Sequence, residues 1–493
     1  MSPVPVARAF GFEPDGDSLV LRLGRAHIGF PCHAAWNPNP SLQHRTSPYP
    51  LPIRLTLGMS DNEHTASRFS PPPFAIIVQG DCVQALVQVT ADPGWHRWNQ
   101  VEFAVSRDEV VIRIDLEGQS SPGEAARHVR GMVTDDEGGM QPIDLLASGI
   151  ALAYPQARAT AARPDWWLRP SHCGWGDQTT TCMQLEGPGE QCRAMAYCIQ
   201  GLYERWIGRL HRLQVPVGTV IIDAGWSPAG WWKPDQVRWP DLRGFIDRQH
   251  QAGRRVVLWL ATWLWEGLPD EWCLFVDGCK LSCDPTHPRY REHLRQCVHE
   301  LLSPNGFNAD GFKIDQLSFC PDRRAPIGGS RFGWCSEFPP ATQPIRLAQG
   351  DLWGCELLHL LQSDIYRAAK EAKPDALITS STVHPYFAGT FDMVRLHDMG
   401  RVAVDIFAAM QARADLARAT LPGFPIDADD WIHSDYDLWR TYTAGSGRLG
   451  VPCTFYAENF VLNWSQHPLT RPIDDQDLLE IAKQWRRYLA ALE

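Results

Sequence analysis

The rhythm of apolar and polar positions changes near residue 155. Before that point it is short and two-fold. Runs at 18–30, 74–80, 83–90, 100–106 and 109–117 are rich in β-branched residues, and Gly, Pro, Asp or Asn separates them. Several alternate apolar with polar, as strands with one buried face do. Repeated short strands without helical periodicity predict an N-terminal antiparallel β-sandwich over residues 1–155. Residues 156–170 read as a linker.

From 171 to 493 apolar runs alternate with amphipathic stretches. The runs are 172–177, 218–226, 255–263, 309–315, 376–381, 393–398, 424–430 and 452–457. Between most of them lie helical patterns, predicted over 240–253, 284–302 and 351–372, with a last one at 474–493. In the first, Leu242, Phe245, Ile246 and Gln249 share a face, and Gly253 suits the position just past a helix end. Alternating strand and helix predicts a (β/α)8 TIM barrel, here ending in a C-terminal helix. One connection is too short for a full crossover helix. Only residues 382–392 separate the fifth and sixth runs, so an irregular link is expected there. The longest insertion, 320–344, follows the fourth run and should rise over the C-terminal mouth.

Composition narrows the function. The chain of 493 residues carries 46 basic and 57 acidic residues, a formal charge of −11. Phosphate recognition needs a basic face, so neither nucleic acid nor an anionic membrane is expected as partner. No apolar run is long enough for a membrane span, and no basic-then-apolar leader opens the sequence, which predicts a cytoplasmic protein. Fourteen scattered cysteines fit free thiols in a reducing compartment. Cys273, Cys279 and Cys283 lack the C-x-x-C spacing of a zinc site, and no cofactor or metal is expected. Twenty-one tryptophans suit a cleft that packs flat faces against sugar rings. A homo-oligomer is allowed but not indicated.

Five acids stand at or near proposed strand ends: Asp177, Asp223, Asp315, Asp398 and Asp430. In a barrel those ends converge on one mouth. A single such acid reads equally well as a helix cap. Five together are harder to explain that way, because clustered carboxylates repel and are costly to bury. Paired carboxylates flanking a glycosidic bond can cleave it, one attacking the anomeric carbon and the other protonating the leaving oxygen. Asp315 suits the nucleophile. Lys313 lies one pleat repeat behind it, and its charge should favour the ionised form of Asp315. Arg395 and His397 point together along the sixth strand, where Arg395 could meet substrate or a carboxylate.

The segment GFKID, preceded by CDPTHPRYREHLRQCVHELL, resembles the nucleophile strand of the clan D glycoside hydrolases, the group of families 27, 31 and 36. In families 27 and 36 the nucleophile sits in a K-x-D motif, as Lys313 and Asp315 do. The stretch 221–260 is similar to the family 36 pattern at Asp223, Gly225, Trp226, Pro240, Gly253 and Trp259. The resemblance covers about 172–400. It implies a retaining α-glycosidase, α-galactosidase-like, with Asp315 as nucleophile and Asp398 as acid/base. Asp392 competes with Asp398 but sits nearer the start of the strand. It further implies that Asp223 binds sugar hydroxyls, that Trp226 and Trp259 form a wall, and that Lys313 binds a hydroxyl beside the nucleophile. Asp177 and His384 complete the candidate substrate site, with an oligosaccharide or glycoside as ligand.

Three features depart from the family 36 pattern. The glycine-rich loop expected after the fifth strand is replaced by TSSTVHPYFAGTFD, which brings in His384 and Tyr386. The acid pair after the second strand is Asp223–Ala224, one carboxylate short. The C-terminal β-domain usual in the clan is not expected, since the eighth run ends at 457 of 493. An α-glucosidase-type hydrolase or a transglycosylase of the raffinose-synthase kind would use the same residues. A metal-dependent barrel enzyme is less favoured, since His172, His384 and His397 form no H-x-H or H-x-x-x-H element. A catalytically inactive sugar-binding relative is less favoured because both proposed carboxylates are present.

Overall fold

The structure is a computed structural model. It describes residues 6–28, 34–36, 53–58, 72–79, 82–98, 100–116, 121–136, 139–157, 159, 163–187, 191–228, 232–317, 327–329, 335–337, 342–343, 345–396, 406–431, 435–462 and 469–493.

The N-terminal strands form two five-stranded antiparallel sheets. In one, strand Val129–Asp135 lies between Ala7–Gly11 and Cys82–Ala91, followed outward by Phe74–Gln79 and Ala34–Trp36. In the other, Ser18–Gly24 and Gln100–Val105 flank Glu109–Asp115, with Glu13–Asp15 and Ile53–Gly58 at the edges. Alternation does what the sequence pattern predicts. In Glu109–Asp115 every second residue, Val110, Ile112 and Ile114, is fully buried. A helix at Pro142–Ala153, begun by a proline at its first turn, lays Leu145, Leu146 and Ile150 into the core.

Eight parallel strands follow, numbered here β1 (Ser171–Cys173), β2 (Thr219–Ile222), β3 (Arg255–Ala261), β4 (Gly311–Asp315), β5 (Leu377–Ser380), β6 (Met393–Arg395), β7 (Ile426–Asp427) and β8 (Cys453–Thr454). Each pairs with the next from β1 to β7, and β8 pairs with β1. A parallel bridge between Asp427 and Val451 closes the ring. The fold is therefore a (β/α)8 barrel preceded by an antiparallel β-sandwich. The four predicted helices appear at Leu242–Gln251, Pro288–Leu302, Gly354–Ala372 and Asp475–Ala490. Gly253 has φ +75°, as a residue past a helix end should. The short β5–β6 link holds only a single 3-10 turn at Pro385–Phe387. Of the insertion 320–344, the described part includes a hairpin of Ile327–Gly329 with Cys335–Glu337.

The segment before β1 contributes a plug. Its turn Asp165–Leu168 buries Trp167 against Leu377, Met393 and Val451, at the N-terminal end of the barrel. The Trp167 indole N–H donates to the Asp375 carbonyl at 3.1 Å. Two acids stabilise that same end. Asp310 accepts from the Val256 amide and meets His250, Arg255 and Lys373. Asp392 accepts from Lys370 at 2.8 Å and from the Ile378 amide at 2.9 Å. Asp392 thus lies at the end of the barrel away from the strands' C-terminal mouth.

Candidate active site

Asp315 is the last residue of β4, and the backbone around it is bent to serve its carboxylate. Gln316 takes a left-handed conformation, φ +60°, and its amide donates to Asp315 Oδ1 at 2.9 Å. Trp259, on neighbouring β3, donates its indole N–H to Asp315 Oδ2 at 3.0 Å. Arg395, the last residue of β6, brings Nη1 to 3.6 Å from Asp315 Oδ1. Asp315 keeps 24% of its side chain exposed while Arg395 shows 1%, so of this pair only the carboxylate can be reached from the mouth.

Lys313 sits behind Asp315 on β4 and meets a second carboxylate. Its Nζ donates to Asp223 Oδ2 at 2.8 Å, and both side chains are almost wholly buried. Burial disfavours the lysine's charge, but the Asp223 carboxylate outweighs it and holds Lys313 above the usual lysine range. Asp315 is a lesser contributor to the same shift. Among the described residues, the cation nearest Asp315 by salt-bridge distance is Arg395. The third member beside Asp223 is Cys173 at the end of β1. Its thiol donates to Asp223 Oδ2 at 3.0 Å and lies 3.4 Å from Lys313 Nζ. Burial, then the neighbouring Asp223, pushes that thiol upward, so it stays protonated and acts as a donor.

The end of β7 adds two acids that the strand-end search passed over. Asp429 accepts from Arg395 Nη2 at 2.8 Å, with both side chains 1% exposed. Asp427 accepts from the Asp429 amide at 2.9 Å. Burial, then the nearby Asp429, pushes the Asp427 carboxyl up to about 6, against the pull of Arg395 and Lys313. β7 ends at Asp427 and Asp429 has a left-handed backbone, φ +54°, so strand alternation could not place them together; the signal was the acidic run IDADD itself.

The remaining candidates fall in three places. Trp226 is buried and donates its indole N–H to the Trp259 carbonyl at 2.8 Å. Together with Trp232, Met195 and Leu264 these two tryptophans line a narrow cleft beside β2 and β3. Asp177, in the helix after β1, is buried and accepts from the Ala457 and Glu458 amides at 2.8–3.1 Å. Burial nevertheless raises its carboxyl to about 8. Asp430 likewise accepts from the Phe455 amide, the Trp439 indole and the Thr443 hydroxyl. Both acids tie the rim after β8 to its neighbours. His384 is buried, accepts from the Tyr386 amide at 3.1 Å, and stands edge-on to His96 and Tyr154 of the N-terminal part. Asp398 and His397 lie outside the described residues, and no group that could hold a metal is found among the described ones.

The fold and the convergence of Asp223, Lys313, Asp315, Arg395 and Asp429 define a (β/α)8-barrel protein with a charged, carboxylate-bearing mouth. Solved structures similar to this chain include a cycloalternan-degrading enzyme from Trueperella pyogenes, with TM-score 0.54 and 16% identity over 99% of this chain and 67% of that one. A GH31 dextranase from Flavobacterium johnsoniae gives TM-score 0.59 and 11% identity, covering 97% of this chain and 55% of the other. A cycloalternan-forming enzyme from Listeria monocytogenes gives 0.52 and 13%, covering 92% and 40%. The likeness is one of fold, and the chain spans from two fifths to two thirds of those enzymes' lengths. No protein-family model and no curated protein sequence matches the chain. No helix among the described residues is long and apolar enough to cross a membrane.

Proposed function

We propose that the chain is a retaining α-glycosidase that works through an aspartyl glycosyl-enzyme intermediate. The observation that carries this reading is Asp315: a reachable carboxylate at a barrel strand end, oriented by Trp259 and Gln316 and faced by a buried arginine. Asp315 would attack the anomeric carbon as the glycosidic bond breaks, and the leaving oxygen would take a proton. Water would then attack the same carbon, give up its proton to the same acid/base, and free Asp315. We assign the acid/base role to Asp398, which follows Arg395 closely in sequence. Trp226, Trp259, Asp223 and Lys313 would shape the sugar side, with Arg395 beside the bond under attack.

Two readings of the sugar compete. The K-x-D arrangement of Lys313 and Asp315 favours an α-galactoside. The fold neighbours favour an α-glucoside, being named for action on cycloalternan and dextran and solved with isomaltose or glucose. The cycloalternan-forming neighbour also makes glycosyl transfer a specific alternative to hydrolysis.

A panel of aryl α-galactosides and α-glucosides, with and without a sugar acceptor, separates these readings. Asp315→Ala should abolish turnover of whichever substrate the wild type cleaves. Asp398→Ala should lose about 10²–10⁴-fold on poor leaving groups and far less on activated ones. Full activity in Asp315→Ala would overturn the nucleophile assignment.

A further inference from the structure

Cys273 and Cys283 are the first and last residues of a hairpin that follows β3, built from strands Cys273–Val276 and Cys279–Cys283. They are partners in its antiparallel register, so both side chains leave the same face. The phase of the ladder sets how close they stand. The Asp284 amide donates to the Trp272 carbonyl at 2.8 Å, so the hydrogen-bonded pair is the neighbouring one, Trp272 with Asp284. The Cys283 amide turns outward instead, to the Trp263 carbonyl at 3.3 Å. Cys273 and Cys283 are therefore a non-hydrogen-bonded pair, the closer of the two kinds, with Cα atoms generally about 4.5 Å apart. A disulfide spans Cα separations of about 4.4–6.8 Å.

Access is divided between the two thiols. Cys273 is half-buried and donates to the Pro269 carbonyl at 3.3 Å. Cys283 is buried and meets the Tyr290 hydroxyl of helix Pro288–Leu302. Burial, aided by Asp270, Asp284 and Glu271 and opposed by Lys280, pushes Cys273 up to about 11. Burial pushes Cys283 up as well, against the Tyr290 hydrogen bond. Both thiolates are scarce at neutral pH, so exchange there is slow.

We propose that Cys273 and Cys283 are a disulfide site, closed by exchange with a low-molecular-weight disulfide, and that the bond braces the segment bearing Leu264. Leu264 follows Trp263, whose carbonyl holds the Cys283 amide, and it lines the cleft with Trp226 and Trp259. The proposal is independent of the glycosidase reading. The reachable Cys273 thiolate attacks one sulfur of the small disulfide, whose S–S bond breaks and releases one thiol. Cys283 then gives up its proton and attacks the Cys273 sulfur of the mixed disulfide, expelling the second thiol. Two protein thiols are oxidised to one disulfide, and one small disulfide is reduced to two thiols.

The test treats the reduced, folded protein with oxidised glutathione at about pH 9, where more thiolate is present, then blocks the remaining thiols and maps peptides by mass. Trypsin cuts after Lys280, so the bond joins peptide 256–280 to peptide 281–289. The joined species should be two hydrogens lighter than the separate peptides and should part again in a thiol reductant. It should persist in Cys279→Ser and vanish in Cys273→Ser. Fragment masses of the wild-type species assign the bond without any substitution. Hydrogen exchange of the amides from 263 to 283 should slow on closure and recover on reduction. A bond from Cys279, glutathione left standing on Cys273, or no joined peptides overturns the disulfide site. Unchanged exchange on closure overturns the bracing.

Discussion

Lys313 and Asp223 meet at 2.8 Å with almost no solvent around either. Removing one partner of a buried pair strands the other, at a cost of about 3–5 kcal/mol. Lys313→Met should therefore lower the denaturation midpoint sharply, and adding Asp223→Asn should recover most of the loss. A single variant as stable as the wild type in a urea titration would show that the pair carries no such dependence. Period-two geometry is local, so the sequence could put Lys313 on the same side of the strand as Asp315. Its partner depends on which strand stands beside β4, and that is a long-range fact. The same limit hid Cys173, read only as an inert thiol. Reading by strand ends also singled out Asp430 and passed over Asp427 and Asp429. All three lie at or just past the end of β7, yet Asp430 turns to Trp439 and Phe455 while Asp429 turns to Arg395.

Strand β4 delivers Asp315, and its first residue decides how closely it can lie to β5. Gly311 has φ +153°, and a Cβ added there would stand 1.9 Å from the Leu377 carbonyl oxygen. Backbone cannot yield as a flexible side chain can. Gly311→Ala should therefore cost on the order of 2 kcal/mol or more and shift Lys313 and Asp315 along with the strand. Thermal unfolding and activity should fall together, and an alanine variant with unchanged midpoint would contradict the close approach. The elements themselves were legible. All eight apolar runs hold barrel strands, buried along almost their whole length, the four helical patterns hold helices, and the short 382–392 link announced its own irregularity by length alone. The function of the rim acids was less legible. Asp177 and Asp430 lie just past β1 and β7, where active-site acids could stand, but accept from backbone amides of 455–458. Only the position of that returning segment separates a staple from a site.

At the scale of the whole molecule, the sandwich rests on the barrel rim beside β5 through a buried aromatic and histidine cluster. The His96 amide donates to Glu356 Oε1 at 2.9 Å, and the Trp98 carbonyl accepts from the Cys355 amide at the start of helix Gly354–Ala372. The His96 ring stacks on Tyr386, whose hydroxyl donates to Glu356 at 2.9 Å. Tyr154 and His384 meet edge to face, and His359 stacks on the far side of the group. Burial first, then repulsion from His96 and His359, holds His384 well below the ordinary histidine range. Burial lowers His359 as well. Glu356 is also lowered: burial works to raise it, and its hydrogen bonds from His96 and Tyr386 overcome that. The sign follows directly. A group whose folded pKa is depressed takes its proton first in the unfolded chain, so its contribution is complete above the unfolded value and is lost as pH falls below it. For the histidines that loss begins near pH 6.5, while exposed carboxylates are still ionised. Lowering pH from 7.5 to 5.5 should therefore reduce the unfolding midpoint. His384→Asn keeps an acceptor for the Tyr386 amide but cannot titrate there, so the variant should lose less on acidification than the wild type. Equal acid sensitivity in the two proteins would place the titrating groups elsewhere, His172 on β1 being the next to examine, since burial lowers it to about 4.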